Sequence, residues 1–92
     1  MAGFDDQLED KGYQQLTSLG TAQALTVPAG ARAAIIQAET QGVRWRDDGT
    51  NPTASVGMVI AAGSDFFYTG DLAAIRLIEQ AASAKVNVSY YA

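Results

Sequence analysis

Hydrophobic and polar residues alternate with a period of two in short runs along most of the chain. The clearest run is residues 85–91, with the sequence KVNVSYY. Successive side chains of a β-strand point to opposite sides, so this pattern is typical of a strand with one buried face. In segment 43–46 the same rule predicts Val43 and Trp45 on one face, opposite Arg44 and Arg46.

Turn-forming residues separate these runs at intervals of about 8 to 12 residues, the spacing of strands in sandwiches and barrels. We therefore predict an all-β fold, an antiparallel, jelly-roll-like β-sandwich of about eight short strands. The predicted strands are 15–19, 22–27, 31–39, 43–46, 56–61, 65–69, 73–80 and 85–91. The predicted core contains Ile35, Trp45, Ile60, Ile75, Val86 and Val88.

Residues 72–83 leave two interpretations open. Their Ala, Leu, Glu and Gln residues are good helix formers. Ile75, Leu77 and Ile78, together with the turns on either side, favour a strand. We favour the strand, which predicts Ile75 and Leu77 on one face and Arg76 and Ile78 on the other.

The chain has 92 residues and contains neither cysteine nor histidine. This length predicts one domain, with an N-terminal arm at 1–13 and a sandwich at 14–92. A core of this size gives thin stability, and small domains supplement it with disulfides, a structural metal or oligomerisation. Without cysteine and histidine the chain cannot form disulfides and is poorly suited to a structural metal site. We therefore expect a homo-oligomer.

The formal charge of −4 is concentrated at the start of the chain. Residues 1–10 contain Asp5, Asp6, Glu9 and Asp10 and no basic residue, whereas the acidic and basic residues of 11–92 balance. A balanced body is poorly suited to phosphate contacts, so we expect no nucleic-acid partner. The acidic residues predict a flexible N-terminal arm.

No apolar run is long enough for a membrane span, and the acidic N-terminus lacks the features of a signal peptide. We therefore expect no membrane partner, and synthesis in the cytoplasm of whichever cell makes the protein.

Candidate chemistry is sparse. The DDGTN segment at 47–51 superficially suggests a calcium loop, but it lacks the alternating ligands and the closing Glu, and Asp-Gly is a common turn. No histidine is present to activate a serine or threonine. We predict no catalytic, metal or cofactor-binding residues and no enzymatic activity.

The residues favour contacts with other protein chains over an enzymatic or metal-binding role. Arginine is enriched at interfaces, and Phe4 and Leu8 are apolar points four residues apart in the acidic arm. The alternatives are a sugar or nucleic-acid surface at 44–46 and a sugar site among the tyrosines and phenylalanines. The predicted partner-interface residues are Phe4, Leu8, Arg44, Arg46, Arg76 and Tyr91.

Several segments resemble a family of small virion proteins of tailed bacteriophages. They are VPAG at 27–30, AIIQAE at 34–39, VRWRDDG at 43–49, PT at 52–53, AG at 62–63, FYTGDL at 67–72, AIR at 74–76 and KVNVSYY at 85–91. The resemblance implies a jelly-roll-like sandwich that serves as a capsid decoration or cement subunit, or in the neck or tail. It also implies a virion location and two kinds of partner: further copies of the chain in a homotrimer, and the major capsid protein or other virion proteins.

The sequence also shows a second family similarity and leaves an alternative function open. The Pro-Ala-Gly turn before an isoleucine-rich strand is also similar to cupins, but the metal-binding histidines of cupins have no counterpart here. The alternative function is a carbohydrate- or receptor-binding module attached to a virion. The sequence leaves the choice between head, neck and tail open.

Overall fold

The computed structural model describes residues 8–92, which form two antiparallel four-stranded sheets. The eight strands are β1 (Asp10–Leu16), β2 (Gln23–Ala24), β3 (Ala33–Glu39), β4 (Val43–Arg46), β5 (Met58–Ile60), β6 (Asp65–Tyr68), β7 (Arg76–Glu79) and β8 (Lys85–Tyr91). The predicted all-β fold of eight short antiparallel strands is confirmed.

The first sheet has the strand order β1-β8-β3-β6, and the second has β2-β7-β4-β5. Each connection passes from one sheet to the other, except the one from β4 to β5. Buried residues of both sheets form a single hydrophobic cluster, as expected for a β-sandwich. The finer jelly-roll designation stays a prediction.

Strand β8 lies inside the first sheet, between β1 and β3. Val86, Val88 and Tyr90 are fully buried, as their alternation predicts. On β3 the inward residues include Ala34 and Ala38. These small side chains leave room for the larger residues of the opposite sheet.

The prediction that Ile35 is buried is wrong. Ile35 is 37% exposed, whereas its neighbour Ile36 is completely buried. Two adjacent residues of a strand face opposite sides, so only one of the two isoleucines can enter the core. The pairing of Ile36 with Val88 aligns its inward position with that of β8.

In the second sheet, Val43 and Leu77 are fully buried, and Ile60 is nearly so. Trp45, which the sequence predicted in the core, is only partly buried and packs against the border of the core. Its ring stacks on Phe66 of the first sheet at a centroid distance of 5.1 Å, and Tyr68 meets it edge-on at 5.8 Å. Trp45 therefore joins the two sheets at one end of the sandwich rather than at its centre.

Segment 72–83 contains a strand, β7, preceded by a 3-10 turn at Leu72–Ala74. The turn begins at Asp71, whose carboxylate accepts a hydrogen bond from the Ala73 amide at 3.1 Å. Ile75 and Leu77 are both fully buried, so the predicted inward face is confirmed. The helix interpretation fails because the chain becomes extended again at Ile75.

Strand β1 begins at Asp10, inside the segment 1–13 that the sequence assigned to the arm. The pairing continues to Glu9, whose amide donates to the Ala92 carbonyl at 2.7 Å and whose carbonyl accepts from the Ala92 amide at 3.0 Å. Residues 9–16 therefore pair with β8 over nearly its whole length. Residues 9–13 of the predicted flexible arm are thus paired in the first sheet, whereas residues 1–7, which include Phe4, lie outside the described residues.

Among residues 8–92, no helix is long and apolar enough to cross a membrane.

Candidate functional site

Three arginines predicted as interface residues lie together on the outward side of the second sheet. Val43 and Trp45 of β4 contact the core, so Arg44 and Arg46 point away from it. Arg46 lies directly opposite Arg76 of β7 in the strand register. Arg44 has Val59 of β5 and Ile78 of β7 as its neighbours across the sheet. We call this surface, formed by Arg44, Arg46, Arg76, Val59 and Ile78, the arginine face.

Local acceptors hold the three guanidinium groups in place. Arg44 donates to the backbone carbonyls of Ala54 at 3.1 Å and Gly57 at 2.8 Å. Arg76 donates to the carbonyls of Ala73 and Ile75, each at 2.9 Å. Backbone carbonyls carry no formal charge, so the positive charges of Arg44 and Arg76 are not neutralised by these bonds.

Arg46 is the arginine of this face with an acidic partner. Its guanidinium binds Asp48 through two nitrogens, one of them at 3.0 Å. The hydrogen bond from Arg46 lowers the pKa of Asp48 and, reciprocally, raises the pKa of Arg46. Three arginines against one carboxylate leave the arginine face with a surplus of two positive charges.

The loop that follows β4 is a turn. Asp48 accepts a hydrogen bond from the Thr50 amide at 3.3 Å, and Gly49 has a positive φ of 88°. Asp47 points elsewhere and accepts a hydrogen bond from the Tyr68 hydroxyl at 2.6 Å. Burial, followed by this contact with Asp47, raises the pKa of Tyr68 to about 12. The two carboxylates are therefore engaged separately.

The outward side of the first sheet carries a hydrogen-bonded network centred on Asn87. Its side-chain oxygen accepts from the Tyr13 hydroxyl at 2.6 Å and from the Gln15 amide at 3.0 Å. Its amide nitrogen donates to Gln37 at 3.1 Å and to Glu39 at 3.0 Å. We call these five residues the amide network; it fixes polar groups from β1, β8 and β3 in one plane.

A second row on this side contains large exposed side chains. The register aligns Tyr13, Ser89, Ile35 and Phe67 across the four strands. Tyr13 is 65% exposed and Phe67 is 51% exposed. Large apolar groups exposed beside a polar network are typical of a contact surface.

Exposed apolar residues also occur at the edge of the second sheet. Met58 and Val59 of the edge strand β5 and the preceding Val56 are each more than half exposed. An edge strand presents unpaired backbone groups, and apolar side chains there favour association with another chain.

Leu8 and Tyr91 lie apart from the arginine face. Leu8 lines an open cleft of about 890 Å³ with residues that include Phe67 and Leu72. Tyr91, at the end of β8, accepts a hydrogen bond from the Ser89 hydroxyl at 3.0 Å. The predicted interface residues among 8–92 therefore fall on two separate surfaces.

The amide network, and its position beside the exposed row, were not predicted from the sequence. The alternation in 85–91 does predict that Asn87 and Ser89 point outward. The alignment of β8 with β1 and β3 was the missing information, because a period-two pattern fixes the face of a residue and not its partner across the sheet.

Among residues 8–92, no charged side chain is buried, and no three Asp or Glu residues lie close enough together to hold a metal ion. No family model, curated protein or solved structure matches the chain. The surfaces are therefore interpreted from their own geometry.

Proposed function

We propose that the protein is a structural subunit of a bacteriophage virion, a decoration or cement protein that reinforces the capsid. What supports this function is the set of large apolar side chains exposed on both sheets. Monomeric soluble proteins seldom expose apolar patches that do not bind something. Here such groups occupy the outward row of the first sheet and the edge strand β5.

A cement subunit needs contacts with its neighbours and with the shell. The arginine face and the exposed row lie on opposite sheets, so one subunit has two distinct surfaces for two partners. We assign self-association to the arginine face and capsid binding to the exposed row. The homotrimer comes from the resemblance to phage decoration proteins, and a cyclic trimer requires a head-to-tail contact between unlike surfaces.

The amide network favours a second candidate function, a carbohydrate- or receptor-binding module on the virion. Ordered amide and carboxylate groups beside exposed Tyr13 and Phe67 match the hydroxyls and apolar faces of a sugar. Such a module, or a neck or tail component, would occupy fewer positions on the particle than a cement protein.

Particles from a phage lacking the gene test the proposal by adding back the purified protein. We expect saturable binding to heads and a gain in the heat resistance of those heads. Phe67→Ser, at an exposed position, should weaken the binding without unfolding the protein. Tyr13→Ser removes an exposed ring and also a hydrogen bond of the amide network. Comparing its binding to heads with that of Phe67→Ser therefore separates the contribution of the amide network from that of the exposed rings.

Binding to tail tips, or to a glycan panel with no binding to heads, would replace the proposed function by the second candidate. Failure to bind any part of the particle would overturn both.

A further inference from the structure

We infer that the arginine face binds the acidic N-terminal segment, residues 2–8, of a second copy of the chain. The inference rests on the proposed function, because it names the contact through which neighbouring subunits associate. It combines the surplus charge of the arginine face with the uneven distribution of acids along the sequence.

The charges of the two surfaces match. Arg44, Arg46 and Arg76 exceed Asp48 by two positive charges, and residues 2–8 contain two acids, Asp5 and Asp6, and no base. The next two acids are already engaged in the fold. Glu9 accepts a hydrogen bond from Lys11 at 3.0 Å, and Asp10 accepts one from the Gly12 amide at 2.9 Å.

The apolar residues match as well. Phe4 and Leu8 flank the acids in the segment, and Val59 and Ile78 lie beside Arg44 on the arginine face. Val59 is 51% exposed among the described residues and is therefore open to contact. A segment whose two acids lie between two apolar residues therefore has counterparts on this face for both kinds of side chain.

The arrangement of like charges points to a partner. Arg46 and Arg76 lie directly opposite each other, and like charges at such positions destabilise a sheet. Asp48 compensates for one of them. An acidic segment laid across the pair would relieve the remaining repulsion, a gain that the isolated subunit lacks.

A second copy is the occupant that the proposed function requires, because the contact must join neighbouring subunits. The segment leaves the first sheet at Leu8, beside the cleft that also contains Phe67 and Leu72, whereas the arginine face is the outer side of the second sheet. Ala73 lines the same cleft, and its carbonyl accepts a hydrogen bond from Arg76, so the arginine face of the same chain is also within reach. Binding in trans instead gives a head-to-tail contact, which closes into a ring such as a trimer.

Arg76→Glu is the first test, with sedimentation velocity at low salt as the measurement. The substitution removes the surplus charge, and the oppositely charged cross-strand pair with Arg46 offsets part of the loss of the hydrogen bonds to Ala73 and Ile75. Thermal unfolding of the variant checks that it is folded. We expect the dissociation constant for self-association to rise by about tenfold or more, as attraction across the interface is lost. Lys85→Glu makes the same change of charge on the first sheet and should leave association unchanged.

Charge exchange is the second test. Arg46→Glu with Arg76→Glu inverts the surplus on the face, and Asp5→Lys with Asp6→Lys inverts the charge of the segment. Each pair alone should give monomers, and the four substitutions together should restore association. Sensitivity to salt should accompany association in the wild-type chain.

A folded four-substitution variant that stays monomeric, or Arg76→Glu and Lys85→Glu that behave alike, would overturn the inference. A wild-type chain that is monomeric at low salt would overturn binding in trans. The proposed function fails by a different result, the absence of the protein from virions, whatever its association in solution.

Discussion

At the scale of single residues, Ile35 and Ile36 test the orientation of β3. Ile36→Ala should lower the free energy of unfolding by about 2 to 5 kcal/mol, because Ile36 is fully buried. Ile35→Ala should cost less than about 1 kcal/mol, because Ile35 lies on the outer face. Urea unfolding of the two variants measures both values, and equal losses would contradict the assignment of the two faces.

The buried phenols predict a pH dependence of stability. Burial raises the pKa of Tyr90 to about 12, and burial together with Asp47 does the same for Tyr68, from an ordinary value of 10.0. Below the ordinary value, both phenols are neutral in the folded and unfolded chain, and their contribution is complete. As pH rises from about 10 to about 12, the unfolded chain loses these protons first, so stability falls.

Urea unfolding at increasing pH, with phenolate absorbance of the folded protein, tests this expectation. A Tyr68→Phe, Tyr90→Phe double variant should show a flatter decline above pH 10. It starts from a lower stability because the bonds to Asp47 and Gln14 are lost. Ionisation of both phenols below pH 10 in the folded protein would contradict the prediction.

Residue patterns alone predicted much of the inward face. Ile60, Ile75, Val86 and Val88 are buried as expected. The error at Ile35 arose where two isoleucines stand side by side, because hydrophobicity cannot choose between adjacent positions of a strand. Only the pairing of β3 with its neighbours makes that choice.

At the scale of elements, two glycines test the connection between β4 and β5. Gly57 has a φ of 139°, and an added Cβ would lie 3.1 Å from the Pro52 Cβ and 3.2 Å from the Arg44 Cβ. Gly49 has a φ of 88° and open space around that position. Gly57→Ala should therefore cost about 3 kcal/mol, from strain and crowding together, and Gly49→Ala about 1 kcal/mol.

Thermal unfolding of the two glycine variants measures the difference. Gly57→Ala should also disturb the arginine face, because the Gly57 carbonyl accepts a hydrogen bond from Arg44. If Gly57→Ala is tolerated as well as Gly49→Ala, the close approach of these segments is wrong.

Strand prediction succeeded where alternation was clean. Segments 43–46 and 85–91 match β4 and β8 to the residue. Segment 22–27 was predicted as one strand but contains only the two-residue β2. This edge strand pairs with β7 alone, and a sequence pattern does not show how long such pairing continues.

At the scale of the whole molecule, acidic and basic residues are concentrated in different parts of the chain. The sequence placed the net negative charge in residues 1–10, and the fold gathers three of the chain's six basic residues on the arginine face. The sequence already predicted that Arg44, Arg46 and Arg76 point outward. Their convergence depends on β4 and β7 becoming neighbours, which no local pattern specifies.

Salt should therefore control the assembly more than the fold. Self-association should weaken as ionic strength rises, because exposed charge pairs are screened. The unfolding midpoint of the dissociated subunit should change little, since its core is apolar. Sedimentation velocity and thermal unfolding over one salt series separate the two effects, and association that is insensitive to salt would contradict the charge-based contact.

The most direct test of the proposed function is the copy number of this protein in purified virions of a phage whose genome carries its gene. Quantitative mass spectrometry against the major capsid protein provides the ratio. A cement subunit should be present in on the order of hundreds of copies per head, because it repeats with the symmetry of the shell. Absence from the virion, or a few copies confined to the tail, would contradict a role in reinforcing the capsid.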